Sequence, residues 1–328
     1  MDHHSPTLLK VERLKKYFPI TGGIFSKTLA QVHAVDDVSF EVSSGETLGL
    51  VGESGCGKST TGKLILRLLD PTGGKVFFEG ENVFSLSGNR MRRLRQDMTM
   101  IFQDPYASLD TRMSIKRIVA EPLRIHRLTK SKRETQERVA QVLKRVGLRP
   151  EHMRRYPHQF SGGQRQRIAI ARTLVLNPKL IIADEPVSAL DVSIQAQVLN
   201  LLLELQKEFN LTYLFIAHDL RVVEYVSRRV AVMYLGRIIE LADVADLYDH
   251  PRHPYTEALL SAAPMPDPKL KKERKIIQGD VPSAIHPPKG CHFHLRCRYK
   301  KPECSEEVPE FHEIRPKHYV ACHYPINQ

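Results

Sequence analysis

The hydrophobic and polar positions along the chain change rhythm several times. Residues 32–42 alternate in part and stop at Ser43-Ser44-Gly45, which predicts a strand and a turn. Residues 47–51 form a short apolar run leading into a glycine-rich loop, the pattern of a buried strand. Helical spacing follows over 60–69, and 75–78 predicts another strand, closed by Glu79-Gly80. From 104 to 155 the chain becomes rich in Arg, Leu, Glu and Gln, with a helical pattern over 132–146; this reads as a helical insertion. Short apolar runs then return at 180–183, 213–217 and 230–233, separated by helical stretches at 164–176 and 194–209. Strands alternating with helices predict an α/β core built on a parallel sheet.

Near residue 250 the texture shifts again. Prolines crowd in at 251, 254, 264, 266 and 268, and a lysine-rich run occupies 269–275. A boundary is expected there, dividing a domain over 1–250 from a loop-rich extension over 251–328. Within the first, 104–160 is the expected helical subdomain.

Composition narrows the class. The chain has 328 residues, 41% hydrophobic and 26% charged, as in a soluble globular protein. No apolar run approaches the ~20 residues of a membrane-spanning helix. Residues 1–6 lack the apolar segment of a signal peptide. The chain is therefore expected to stay in the cytoplasm and to meet a membrane only through partners. A net charge of +12 suits either nucleic acid or anionic lipid headgroups. The densest basic stretches, 90–95 and 269–275, have no interleaved aromatics and read as a solvated face or linker. Of five cysteines, Cys56 stands alone, while Cys291, Cys297, Cys304 and Cys322 crowd the last forty residues. In a cytosolic chain such a cluster suggests metal ligands before disulfides.

The glycine-rich segment Gly52-Glu53-Ser54-Gly55-Cys56-Gly57-Lys58-Ser59-Thr60 matches G-x-x-x-x-G-K-[ST] between a strand and a helix. Its glycines let backbone N–H groups curl around phosphate oxygens, and the helix N-terminus adds partial positive charge. Lys58 is expected on the β- and γ-phosphates, Ser59 on Mg²⁺ and Thr60 near the α-phosphate. Cys56 contributes its backbone rather than its thiol.

The run 180–183 ends in Asp184 and Glu185, placing two carboxylates at a strand's C-terminal edge. Asp184 is expected to hold Mg²⁺, and Glu185 to orient and deprotonate an attacking water. His218 ends a second apolar run and suits a γ-phosphate contact. Gln103 follows Met100-Ile101-Phe102 and suits Mg²⁺ or the water. Finally, Ser161-Gly162-Gly163-Gln164 precedes a long helical stretch, with Ser161 as N-cap. This is a second anion-binding helix end, which makes sense if two subunits complete each other's sites.

In this order the motifs resemble those of the ABC ATPases. They are the phosphate loop, the Q-loop Gln103, the signature 161–164, the Asp184-Glu185 pair, the D-loop ending at Asp191 and the switch His218. The resemblance implies a P-loop fold with a RecA-like parallel core, an antiparallel β subdomain and a helical subdomain. It implies ATP as substrate, Mg²⁺ as cofactor and a head-to-tail dimer in which Ser161 and Gly163 reach the partner's γ-phosphate. The family also places an aromatic ring on adenine, for which Phe18 is the candidate and Tyr17 the alternative, beside an insertion at 19–31.

Three stretches resemble the di- and oligopeptide importers: 103–109, 253–260 and the tail 279–322. That resemblance implies pairing with a related ATPase subunit, a homodimer being open to the isolated chain. It also implies docking on two transmembrane permease subunits at the cytoplasmic membrane face. An extracellular peptide-binding protein acts indirectly, and no nucleic acid is involved. Nickel importers share this architecture and stay open as an alternative. A nucleic-acid ABC ATPase is the rival class, but no long coiled coil or second ATPase domain is visible. Close relatives hold a 4Fe-4S cluster at the four tail cysteines, with zinc as the alternative.

Overall fold

The computed structural model describes residues 6–22, 27–104, 108–262, 277 and 279–327. The lysine-rich run 269–275, the prolines at 264, 266 and 268, residues 105–107 after the Q-loop and residues 1–5 lie outside these.

In chain order the strands are β1 (Thr7–Gly22), β2 (Lys27–Ser43), β3 (Thr47–Val51), β4 (Gly73–Phe78), β5 (Glu81–Asn82) and β6 (Met98–Ile101). They continue with β7 (Leu180–Asp184), β8 (Thr212–Ala217), β9 (Arg229–Tyr234), β10 (Arg237–Asp243), β11 (His312–Arg315) and β12 (His318–Val320). The helices are α1 (Lys58–Ile65), α2 (Gly88–Asp97), α3 (Ile115–Ile125), α4 (Lys132–Arg145) and α5 (Gly162–Leu174). After them come α6 (Val192–Phe209), α7 (Leu220–Val226), α8 (Val244–Asp249), α9 (Pro254–Ala262) and α10 (Glu303–Glu306).

These elements form two compact units, one built chiefly from residues 7–42, 47–84 and 217–328, the other from 43–46 and 85–216. The first unit contains an antiparallel sheet in the order β2-β1-β4-β5. In β1, Leu9, Val11 and Leu14 are buried while charged neighbours face outward. The β1–β4 register runs Leu9↔Phe78 to Glu12↔Lys75 and then shifts, where Arg13 adopts φ 47°. This is a bulge of the kind that bends a strand. A second set of strands runs β3-β9-β10-β12-β11, with β3 and β9 parallel and the rest antiparallel. All five residues of β3 are buried, as expected of a parallel strand covered on both faces. Leu235 and Gly236 join β9 to β10 with φ of 41° and 80°, the two positive values of a tight hairpin turn.

The tail does not hang apart from this unit. Strand β12 pairs with β10 through Glu240↔Val320 and Leu241↔Tyr319. Glu240 is fully buried on β10 and accepts the backbone N–H groups of Arg252 (2.6 Å) and His253 (2.9 Å). Its Oε1 also lies 2.8 Å from His318 Nε2 on β12. One carboxylate thus ties together β10, the start of α9 and the tail hairpin.

In the second unit, β6, β7 and β8 are parallel neighbours, registered Ile101↔Ala183 and Asp184↔Ile216. Helices α3 and α4 bury Ile115, Ile118, Val119 and Leu123 and Val139, Val142 and Leu143. Ser131 caps α4 by accepting the Glu134 N–H. Among the described residues no helix is long and apolar enough to cross a membrane.

Candidate nucleotide site

The phosphate loop belongs to the first unit. It leaves β3 at Gly52 and enters α1 at Gly57, both at positive φ (154° and 108°). A Cβ on Gly52 would meet the Met233 carbonyl at 2.1 Å, and one on Gly57 the Ala34 carbonyl at 2.1 Å. Both positions therefore need glycine for conformation and for space. Ser54 and Gly55 are exposed, and Ser59 and Thr60 half-buried. Helix α1 has no side-chain cap and no acidic residue in its first turn, which leaves its positive end for an anion. Lys58 is 4% exposed and folds back, donating to the carbonyls of Gly52 (2.8 Å) and Glu53 (2.9 Å). Burial raises the Cys56 thiol, so it stays protonated beside Lys58.

Tyr17 and Phe18 lie on β1 in the same unit. The Tyr17 ring stacks on His33 at 4.2 Å, and its hydroxyl donates to Asp36 at 2.5 Å. Burial and the Asp36 carboxylate push that hydroxyl up to about 12. Phe18 is half-buried, with the Lys16 ammonium 5.0 Å from its ring centre. His218 lies just past the end of β8, exposed, and Asp219 beside it caps α7.

The acid pair, the Q-loop and the signature belong to the second unit. Asp184 is buried as the last residue of β7. Glu185 follows at φ 45°, a sparsely populated conformation for a non-glycine residue, held by its N–H bond to the Ile216 carbonyl (2.9 Å). Its carboxylate accepts from the Gln103 amide at 2.9 Å. The structure therefore brings the expected base and the Q-loop glutamine together.

Ser161 caps α5, accepting the Gln164 N–H at 3.4 Å, while Gln164 Oε1 accepts the Ser161 N–H at 3.2 Å. This reciprocal capping box occupies the Gln164 side chain. The helix end otherwise carries no acidic residue in its first turn. A Cβ on Gly163 would meet Ile194 at 2.4 Å. The signature is thus packed against the start of α6, where Asp191 is the N-terminal flanking residue. Gln195, which no sequence motif singles out, donates to the carbonyls of Val187 and Leu190, both at 3.0 Å, and so fixes the D-loop. A cavity of about 470 Å³ borders Ser161, Gly163 and Gln164.

Mg²⁺ takes hard oxygen donors and keeps several waters, so the Ser59 hydroxyl and the Asp184 carboxylate suit it chemically. The fold brings the four tail cysteines together. All four border one cavity of about 10 Å³ together with His294 and His323. Burial pushes Cys291 up to about 11 and Cys322 up to about 12. Thiols are the soft donors that iron–sulfur clusters and zinc take. Among the described residues no three His, Cys, Asp or Glu side chains are placed to hold a metal ion.

Comparison with known proteins agrees with the motifs. A family model described as ABC transporter matches residues 35–188, and one described as oligopeptide/dipeptide transporter, C-terminal region, matches 239–304. The chain is 55% identical over 320 residues to the oligopeptide transport ATP-binding protein AppF of Bacillus subtilis (strain 168), spanning 97% of each. It is 51% identical over 318 residues to the putative oligopeptide transport ATP-binding protein YkfD of the same organism, spanning 96% of this chain and 95% of that one. Among solved structures it is similar to a dimeric ATP-binding cassette in a post-hydrolysis state bound to ADP and Pi. There the TM-score is 0.64 at 28% identity, over 72% of this chain and 99% of that one. It is also similar to cbiO1 from Clostridium perfringens, part of the ABC transporter complex cbiONQ. The TM-score is 0.63 at 30% identity, over 74% and 91% of the two chains.

Proposed function

The chain belongs to the ATP-binding proteins of ABC transporters of the oligopeptide/dipeptide family, and on that premise we propose that it powers import of di- or oligopeptides across the cytoplasmic membrane. The observation that carries this reading is a complete motif set on a chain whose C-terminal region also matches the peptide-transporter family.

In this reading Lys58 and the N–H groups of 52–60 bind the ATP phosphates, and Phe18 lies against adenine, Tyr17 being committed to Asp36 and His33. Ser59 and Asp184 hold Mg²⁺, which supplies charge neutralisation at the phosphates when bound. Glu185 orients the attacking water and takes its proton; Gln103, bonded to it, ligates Mg²⁺ or positions that water, and the groove near Gln103 couples the motion to the permease. His218 senses the γ-phosphate. Ser161 and Gly163 at the capped end of α5, with Asp191, face the nucleotide of a second ATPase subunit. Residues 104–160 act as the helical subdomain and 251–328 as the peptide-transporter extension. The partners are a related ATPase and two permeases, with a peptide-binding protein acting outside, and the chain sits peripherally on the cytoplasmic face. Cys291, Cys297, Cys304 and Cys322, which border one cavity, would hold a 4Fe-4S cluster, zinc being the alternative, in a structural role outside the hydrolytic mechanism.

The test is affinity capture of tagged Glu185→Gln from detergent-solubilised host membranes in ATP, with the co-purifying chains identified by mass spectrometry. Two permeases and a second ATPase are expected. Recovery of nucleic acid or ribosomal proteins without a permease would overturn the reading.

A further inference from the structure

Glu53, the second residue of the phosphate loop, is held at three points, two of them by residues from distant parts of the chain. Its carboxylate accepts two bonds from the Arg296 guanidinium, at 2.8 and 3.1 Å, across 243 positions of sequence. Its N–H donates to the Tyr255 hydroxyl of α9 at 3.0 Å, and its carbonyl accepts from Lys58 Nζ at 2.9 Å. The Arg296 side chain is 8% exposed and that of Glu53 25%. Arg296 also donates to the Tyr234 hydroxyl at 3.4 Å and lies over that ring at 5.8 Å. Tyr234, Tyr255 and Phe293 pack edge-on or tilted, with ring centres 4.7 to 5.4 Å apart, and fix the platform on which the guanidinium rests.

A two-pronged, partly buried bond is stronger and more directional than a surface ion pair. It costs desolvation, and breaking one side leaves the other charge unpaired in a half-buried place. Fastening the tail alone does not require such a bond to be made to the loop, since Glu240 already anchors β12. By ending on Glu53, it restrains the residue whose carbonyl holds Lys58. We propose that Arg296, with Tyr255, is a positioning residue of the ATP site: the C-terminal segment braces the phosphate loop in its binding shape. The inference rests on the reading of residues 52–60 as the loop that binds ATP phosphates.

The test compares the full chain with Arg296→Gln, Arg296→Lys and Tyr255→Phe. MgATP affinity is measured by titration with a fluorescent ATP analogue and competition, and thermal unfolding is followed alongside. Arg296→Gln is expected to weaken ATP binding about tenfold. Arg296→Lys restores part of it. Tyr255→Phe, which keeps the ring packing, weakens binding about threefold with its melting temperature little changed. Glu53→Gln added to Arg296→Gln costs little more, because both remove one interaction. Unchanged affinity in Arg296→Gln and Tyr255→Phe, even with a lowered melting temperature, would overturn the proposal and leave a purely structural tie. Failure of the unaltered chain to bind ATP would strike the phosphate-loop reading itself, and the bracing role with it.

Discussion

His253 shows how one buried side chain sets a response of the whole chain. Its ring is enclosed, its Nδ1 accepts the Tyr255 N–H at 3.0 Å, and burial holds its pKa down to about 3. An unfolded chain protonates the same ring near pH 6.5. The neutral ring's contribution is therefore intact above that pH and is lost as pH falls toward 3. Urea unfolding should find the chain less stable at pH 5 than at pH 7, by about 2 kcal/mol from this residue. His253→Asn should flatten that slope; an identical slope in the variant would remove His253 as its source. At this scale the sequence is informative where chemistry demands a motif. Lys58, Asp184, Glu185 and the Ser161 cap can be picked out because phosphate binding fixes residue types at fixed spacing. Gln195 and the Glu53–Arg296 bond cannot be, since neither has a local pattern and the second spans 243 positions. The tail cysteines are visible as a cluster, yet spacing alone does not determine whether thiols stand in a ligating arrangement.

Among elements, legibility tracks burial. Strand β3 is legible residue for residue, and β7 to within its last residue, because parallel strands covered on both faces are unbroken apolar runs ending in glycine or acid. Strand β1 gives no such signal. Its alternation holds only over Leu9 to Glu12, and the register shift after Glu12 breaks the period of two. Strand β10 is masked by the buried charge of Glu240, and β11 and β12 are too short and polar to announce themselves. That charge is also where the element scale is testable. Glu240→Ala leaves the Arg252 and His253 N–H groups and His318 without their shared acceptor. It should destabilise the chain by about 3 kcal/mol, read as a shift in urea midpoint. Glu240→Gln, which retains an acceptor, should lose less. A midpoint unchanged in Glu240→Ala would show that the tail hairpin is held by other contacts.

For the whole molecule, the α/β class and the motif order are legible because the core strands alternate with long helices. The tail's place in the sheet is not, since pairing between β10 and β12 joins segments about eighty positions apart. The net charge of +12 does not discriminate between partners; the family match does. That match gives an ATP-hydrolysing subunit of an oligopeptide/dipeptide transporter. The most direct measurement is ATP-dependent uptake of labelled di- and oligopeptides by liposomes holding the complete complex and its binding protein. The unaltered chain should drive accumulation, and Glu185→Gln should bind ATP but slow accumulation by at least about a hundredfold. Equal uptake with Glu185→Gln, or hydrolysis by the unaltered complex that moves no peptide, would contradict the account.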